Sequence, residues 1–150
     1  MRSEEAGALV AALGHAIGIP ALALDSKGGC RLRFDGMEVM LEAEPEEQRL
    51  VLHADIGTAP ALGREAVFGR LLEANLLWKD TGGATFAFDP RSGRLLLMQA
   101  VPDGTAPARF PDLVARFVDV AEAWTAQLGG LSHPAAAAAP DGPVDPSRYV

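Results

Sequence analysis

The sequence predicts an α+β sandwich, an α-β-β-β-α-β-β-α chain with an antiparallel sheet. Three observations predict it. Apolar residues recur at helical spacing near 3–17, 64–78 and 110–128. They alternate at strand spacing through three consecutive segments between 30 and 56. Two short, almost wholly apolar segments, 84–88 and 94–101, lie between the second and third helices. With 150 residues and 15.7 kDa, the chain is the size of one domain. A hydrophobic content of 49% against 22% charged residues excludes a wholly disordered chain. No apolar run approaches the roughly 20 residues of a membrane span.

The first helix is expected over residues 3–17, with Ser3 as its cap and Glu4 and Glu5 at the positive end of its dipole. Leu9, Val10, Leu13 and Ile17 share one face. Gly7 and Gly14 each weaken it by about 1 kcal/mol relative to alanine, and Gly18 and Pro20 end it. Leu22 and Leu24 suggest a short extended stretch. Cys30, Leu32 and Phe34 then alternate with Arg31, Arg33 and Asp35. Asp35-Gly36 is a hairpin signal, since such a turn needs positive φ. Met37, Val39, Leu41 and Ala43 alternate with Glu38, Met40, Glu42 and Glu44. After the Pro45-Glu46-Glu47 turn, Leu50, Leu52, Ala54 and Ile56 alternate with Arg49, Val51, His53 and Asp55. This is an antiparallel meander with one apolar face.

The second helix, 64–78, carries Ala66, Val67, Phe68, Leu71, Leu72, Ala74, Leu76, Leu77 and Trp78, a stripe too broad for a helix packed on one side. A second copy of the chain is the simplest partner for the surplus. Thr81-Gly82-Gly83 breaks this helix. The two apolar strands that follow, joined by Asp89-Pro90-Arg91-Ser92-Gly93, are expected to be covered on both faces. The last helix, 110–128, has one clean stripe from Phe110 to Leu128, with Pro111 in its first turn. Beyond it, 131–150 is rich in alanine and proline and reads as a flexible tail, leaving a folded domain over 1–130.

Chemistry is sparse. His15, His53 and His133 fall on separate elements without metal-ligand spacing, and no catalytic or metal-binding constellation is expected. Cys30 lies on an apolar strand face and reads as a buried structural thiol; being single, it excludes an internal disulfide framework. Thr81-Gly82-Gly83 follows a helix and opens a strand, the reverse of a phosphate-cradling loop, and reads as a helix cap. Glu38, Glu42, Glu44, Glu46 and Glu47 read as a solvated acidic face. A net charge of −7 and a pI near 4.9 argue against nucleic acid and favour a basic or amphipathic partner. Met37 and Met98 read as core. Met40, on the polar face of its strand beside Arg33 and Val51, reads with Val51 as an exposed apolar patch of the kind that marks a binding surface. Met-Arg-Ser-Glu-Glu at the start lacks the basic and apolar regions of a secretory signal, so a cytosolic protein is expected.

Two stretches resemble the class I chaperones of bacterial type III secretion, the Tir chaperone (CesT) family. One runs from Leu13-Gly14 through Gly-Ile-Pro and Leu22-Ala-Leu-Asp25 to Gly29-Cys-Arg-Leu-Arg-Phe34. The other comprises Leu71-Leu-Glu-Ala-Asn-Leu-Leu77, Thr81-Gly-Gly-Ala-Thr85, and Phe88-Asp89 through Leu95-Leu-Leu97. The resemblance covers about residues 3–128. It implies a homodimer with Leu72, Leu76, Leu77 and Trp78 of the second helix and Phe86 and Phe88 of the next strand at its interface. It further implies a non-catalytic chaperone of the bacterial cytoplasm, without cofactor or membrane insertion. Such a chaperone binds the N-terminal segment of a secreted effector in extended form, keeps it secretion-competent, and presents it to the export apparatus with its ATPase. Backbone pairing at a sheet edge gives affinity and side-chain pockets give selectivity. Contacts implied here are Val10, Leu13 and Ile17 of the first helix, with Leu32, Phe34, Met40 and Val51 of the meander. Two alternatives stand beside this reading: an interaction adaptor of the same fold outside type III secretion, and, more distantly, an enzyme using a pocket around His53.

Overall fold

In the computed structural model, residues 1–131 are described; from Ser132 onward the expected tail lies outside the described residues. Helix α1 (Ser3–Ile17) is followed by strands β1 (Gly29–Phe34), β2 (Met37–Glu44) and β3 (Arg49–Thr58), helix α2 (Arg64–Asn75), strands β4 (Thr85–Asp89) and β5 (Arg94–Ala100), and helix α3 (Phe110–Leu131). Short 3₁₀ turns occupy Leu76–Trp78 and Pro107–Arg109. The five strands form one sheet in the order β1-β2-β3-β5-β4. The described chain divides into two compact units: one of Met1–Ala54 with Met98–Val118, the other of Asp55–Leu97 with the described residues from Asp119. Strands β3 and β5 and helix α3 pass through both.

In the first unit, Leu9, Val10 and Leu13 of α1, Val39, Leu41, Leu50 and Leu52 of the meander, and Phe110, Val114 and Phe117 of α3 are buried. Each contributes on the order of 1.5–3 kcal/mol by leaving water. Arg2, rather than Ser3, caps α1, and the Glu5 carboxylate accepts the Arg2 N–H at 2.9 Å. At the other end Gly18 takes the left-handed conformation (φ 79°), and Gly14 O accepts the Ile19 N–H at 2.7 Å. Gly14 belongs there because its bare α-carbon lies against this turn: a Cβ would sit 2.4 Å from Ile19 O and 2.7 Å from the Leu22 Cβ. Leu22 and Leu24 form no strand.

The meander register is Phe34↔Met37 and Arg31↔Met40 between β1 and β2, and Met40↔His53 and Glu42↔Val51 between β2 and β3. Met40 therefore faces Arg31 and His53 directly, with Arg33 and Val51 on the diagonals. Val51 is buried, not exposed, and pairs with Glu42 across β2 and β3. Met37 is buried as expected, whereas Met98 is half-buried.

In the second unit, α2 ends at Asn75, three residues earlier than its apolar pattern suggests. The Asn75 side chain leaves the helix to pair with the backbone of Phe86: Oδ1 accepts the Phe86 N–H at 2.8 Å, and Nδ2 donates to Phe86 O at 3.4 Å. Leu77 and Trp78 then take positive φ (55° and 51°), a costly conformation for large L-residues. The turn is closed by Thr81, which is buried and directs its N–H and Oγ1 to Trp78 O, and by Gly82 and Gly83 at positive φ. Trp124 of α3 anchors the end of this turn by donating Nε1–H to Asp80 O at 3.1 Å. Its ring meets Phe86 edge-on, with centroids 4.7 Å apart. Arg94 holds Asp55 through two bonds of 2.6 Å, clamping β5 to β3.

Asn75→Ala should lower stability by about 1–3 kcal/mol, because it strands the N–H of the buried Phe86. Urea unfolding will show this as a lower midpoint at unchanged slope.

Candidate functional site

Two surfaces carry apolar groups that the chain itself leaves uncovered. The first is on the second unit. Helix α2 buries Val67, Leu71 and Ala74 and turns the rest of its stripe outward. Leu72 is 67% exposed, Leu76 60%, Leu77 78% and Trp78 53%. Beside them is an apolar groove of about 230 Å³, lined among others by Phe68, Leu71, Leu72, Phe86 and Phe88. The Phe68 and Phe88 rings meet at a tilt of 50° with centroids 5.0 Å apart, and the Arg64 guanidinium lies 5.2 Å from the Phe88 ring. Four large apolar side chains in one stretch, more than half exposed, form the continuous patch that isolated chains avoid. Phe86 differs from the rest of this group. It is buried within its own chain, and Phe88 is half-buried.

The second surface is on the first unit. The chain after α1 and the start of β1 border an open hollow of about 520 Å³, lined by Ile19, Leu22, Asp25, Cys30, Arg31 and Met40 among others. Ile17 and Ile19 are exposed next to it along the chain. Asp25 shapes its rim: Oδ1 accepts the Gly29 N–H at 2.9 Å and the Lys27 N–H at 2.8 Å. Those bonds, led by that from Gly29, hold its carboxyl below the usual carboxylate range. Burial pushes the Cys30 thiol upward, helped by the Asp25 charge, so it is not an activated nucleophile. Arg31 Nε points at Met40 Sδ at 3.3 Å.

Of the seven residues expected to touch a partner here, Ile17 is exposed, and Phe34 and Met40 are half-buried. Val10, Leu13, Leu32 and Val51 are buried within the chain itself. Ile19 and Leu22 line the hollow instead. Their signal was present in Gly18-Ile19-Pro20, where an isoleucine between two helix breakers cannot join the helix's buried face. The sequence assigns no site role to Phe68, which reads as part of the helix stripe, or to Asn75, which reads as an ordinary helix position.

Among the described residues, nothing assembles for catalysis around His15 or His53. His15 is exposed; His53 Nε2 lies 3.2 Å from Glu42 Oε2, near enough for ion pairing but without hydrogen-bond geometry. Among the described residues no group of three or more His, Cys, Asp or Glu side chains could hold a metal ion. Nor is any helix among them long and apolar enough to cross a membrane.

Three helices on a five-stranded sheet, with apolar faces left bare, define the class: the fold is that of type III secretion chaperones. Residues 8–125 match the model of the Tir chaperone protein (CesT) family, and the chain belongs to that family. Among solved structures it is similar to a chain of the ExsC–ExsE complex, at 28% identity and a TM-score of 0.70, covering 84% of this chain and 96% of that one. It is also similar to a chain of the heterodimeric ExoU–SpcU complex from the type III secretion system of Pseudomonas aeruginosa (23%, TM-score 0.62, covering 83% and 98%). A third likeness is to the Yersinia pestis type III secretion chaperone SycH in complex with a fragment of YscM2 (18%, TM-score 0.63, covering 79% and 98%). The comparison with curated proteins gave no match.

Proposed function

We propose that this protein is a type III secretion chaperone. It works as a homodimer in the bacterial cytoplasm and binds the N-terminal segment of a secreted effector in extended form. It keeps that segment secretion-competent and hands it to the export apparatus, whose ATPase is the next partner. The mechanism is non-catalytic. The observation that carries the reading is the family match over residues 8–125 on a chain that leaves Leu72, Leu76, Leu77 and Trp78 bare.

Each surface has a part in the proposal. The α2 face meets its copy in a partner protomer, which covers the groove beside Phe68 and Phe88 and removes four large side chains from water. The hollow at Ile19, Leu22 and Met40 receives an apolar anchor of the effector segment. Light scattering with and without the N-terminal region of a co-expressed secreted protein tests this. The expected result is a mass of about 31 kDa, twice the 15.7 kDa chain, which rises by one partner chain. A monomer that takes up no such segment overturns it.

A further inference from the structure

The seam between α2 and β4 has two chemically different ends. The two elements run side by side in opposite directions. Phe68 meets Phe88, the Asn75 carboxamide meets the Phe86 backbone, and Trp78 Nε1 donates to Thr85 Oγ1 at 3.1 Å. At the first end the Arg64 guanidinium lies 5.9 Å from the Phe68 ring and 5.2 Å from the Phe88 ring. Its Nε donates to Pro60 O at 3.1 Å, Arg64 is exposed, and it makes no ion pair among the described residues. Two acids stand beside this end in the sequence. Glu65 follows Arg64 about 100° further round the helix. The Asp89 carboxylate, next to Phe88, accepts from Arg91 N–H at 3.0 Å and from Ser92 Oγ at 2.7 Å.

The other end is strained. Leu77 and Trp78 hold left-handed backbone, and the side chains they display are 78% and 53% exposed. Strain of this kind collects at binding and switch regions. Most of the length of α2 lies between Arg64 and Trp78, on the order of 20 Å. Identical patches that meet about a two-fold axis exchange contacts, so that residue i touches j and j touches i. With two such seams laid parallel, guanidinium would face guanidinium. Laid antiparallel, each indole comes to the other copy's guanidinium, and a cation over an indole face is attracted. Trp and Arg are also the side chains in which interfaces concentrate their binding energy.

We infer that two copies meet with their α2–β4 seams antiparallel, and that Trp78 of each closes on the guanidinium of the partner's Arg64. That guanidinium is then held between an indole of one chain and the Phe68 and Phe88 rings of the other. The inference rests on the homodimer of the proposed function. It deepens that reading by naming how the copies are turned and which pair of residues turns them. The strained backbone at Leu77 and Trp78 acquires a purpose, since it presents the indole at the end of the seam opposite to Arg64.

Two substitutions in the full chain, Trp78→Cys and Arg64→Cys, test this with a short bismaleimide that bridges neighbouring thiols. Cys30 is buried, so the parental chain should form no covalent dimer. Each variant is treated alone and after mixing. Antiparallel seams bring the new thiols together only between unlike chains, so only the mixture should yield a linked dimer of about 31 kDa, twice the 15.7 kDa chain. The mixed dimer also retains one unaltered Trp78–Arg64 contact. Self-linking by either variant, or no linking in the mixture, overturns the inference. In sedimentation equilibrium, Arg64→Ala and Trp78→Ala should each weaken the dimer at least about tenfold. Together they should weaken it no more than about twofold beyond the weaker single variant, because one contact is lost once. Coupling of this kind between opposite ends of a seam arises across chains, and strictly additive losses overturn the inference. A parental chain of dimeric mass with no linking in the mixture removes the contact and leaves the homodimer. A parental chain that is monomeric until a secreted segment is added removes both and assigns the seam to that segment.

Discussion

Leu77→Asp is expected to give a folded monomer. Leu77 is 78% exposed and sits at φ 55°, where aspartate is tolerated far better than leucine. The substitution therefore relieves backbone strain, and the urea midpoint of the chain should hold or rise. In the proposed dimer the same side chain is buried twice, once per protomer. Losing about 1.5–3 kcal/mol of burial at each copy, before the cost of a trapped carboxylate, weakens association more than about 100-fold. Leu76→Asp should act in the same direction without the strain relief. Phe86→Asp is uninformative, because Phe86 is buried against Trp124 within its own chain and its loss reports on folding. Sedimentation velocity at micromolar concentration decides: a Leu77→Asp chain that still runs at the parental mass removes the α2 face from the interface.

Gly14→Ala should be severely destabilising, by about 2–4 kcal/mol, although helix propensity alone predicts a gain of about 1 kcal/mol. The added methyl would overlap Ile19 O at 2.4 Å and the Leu22 Cβ at 2.7 Å, so either α1 or the Ile19–Leu22 turn must shift. That turn lines the hollow, so uptake of a partner segment should fall with stability. Gly7→Ala is the control. Its Cβ meets nothing within 4 Å, and the substitution should raise stability by about 0.5–1 kcal/mol. If thermal unfolding places the two variants on the same side of the parent, the close approach at Gly14 is not what selects glycine there.

These two glycines illustrate what a sequence can disclose. Both weaken α1 by the same local measure, and only the fold separates them, because Gly14 meets a segment five residues further on while Gly7 meets nothing. The regular elements were legible for a related reason: alternation in the meander and the stripe of α3 are one-dimensional signals that each element satisfies by itself. The end of α2 was not legible. Leu76, Leu77 and Trp78 continue the helical pattern, yet the helix stops where Asn75 finds Phe86, eleven residues away, and the price is two large residues at positive φ. For the surfaces, the surplus on α2 was readable as a count of apolar positions exceeding one face. In the first unit Val10, Leu13, Leu32 and Val51 lie in the core, since apolar periodicity marks burial and says nothing of what remains accessible.

The pairing of the Asn75 carboxamide with the backbone of Phe86 also bears on how copies of this chain can meet. A sheet with two open edges can stack head to tail, the first strand of one copy against the last strand of the next, and nothing in that geometry stops the series; it grows into a fibre. Here the last strand is interrupted at Phe86 by a side chain of its own chain. The remaining edge, β1, can pair with another β1 only about a two-fold axis, and such a pair uses up both edges and ends. One side-chain amide thus obstructs the head-to-tail joint at Phe86.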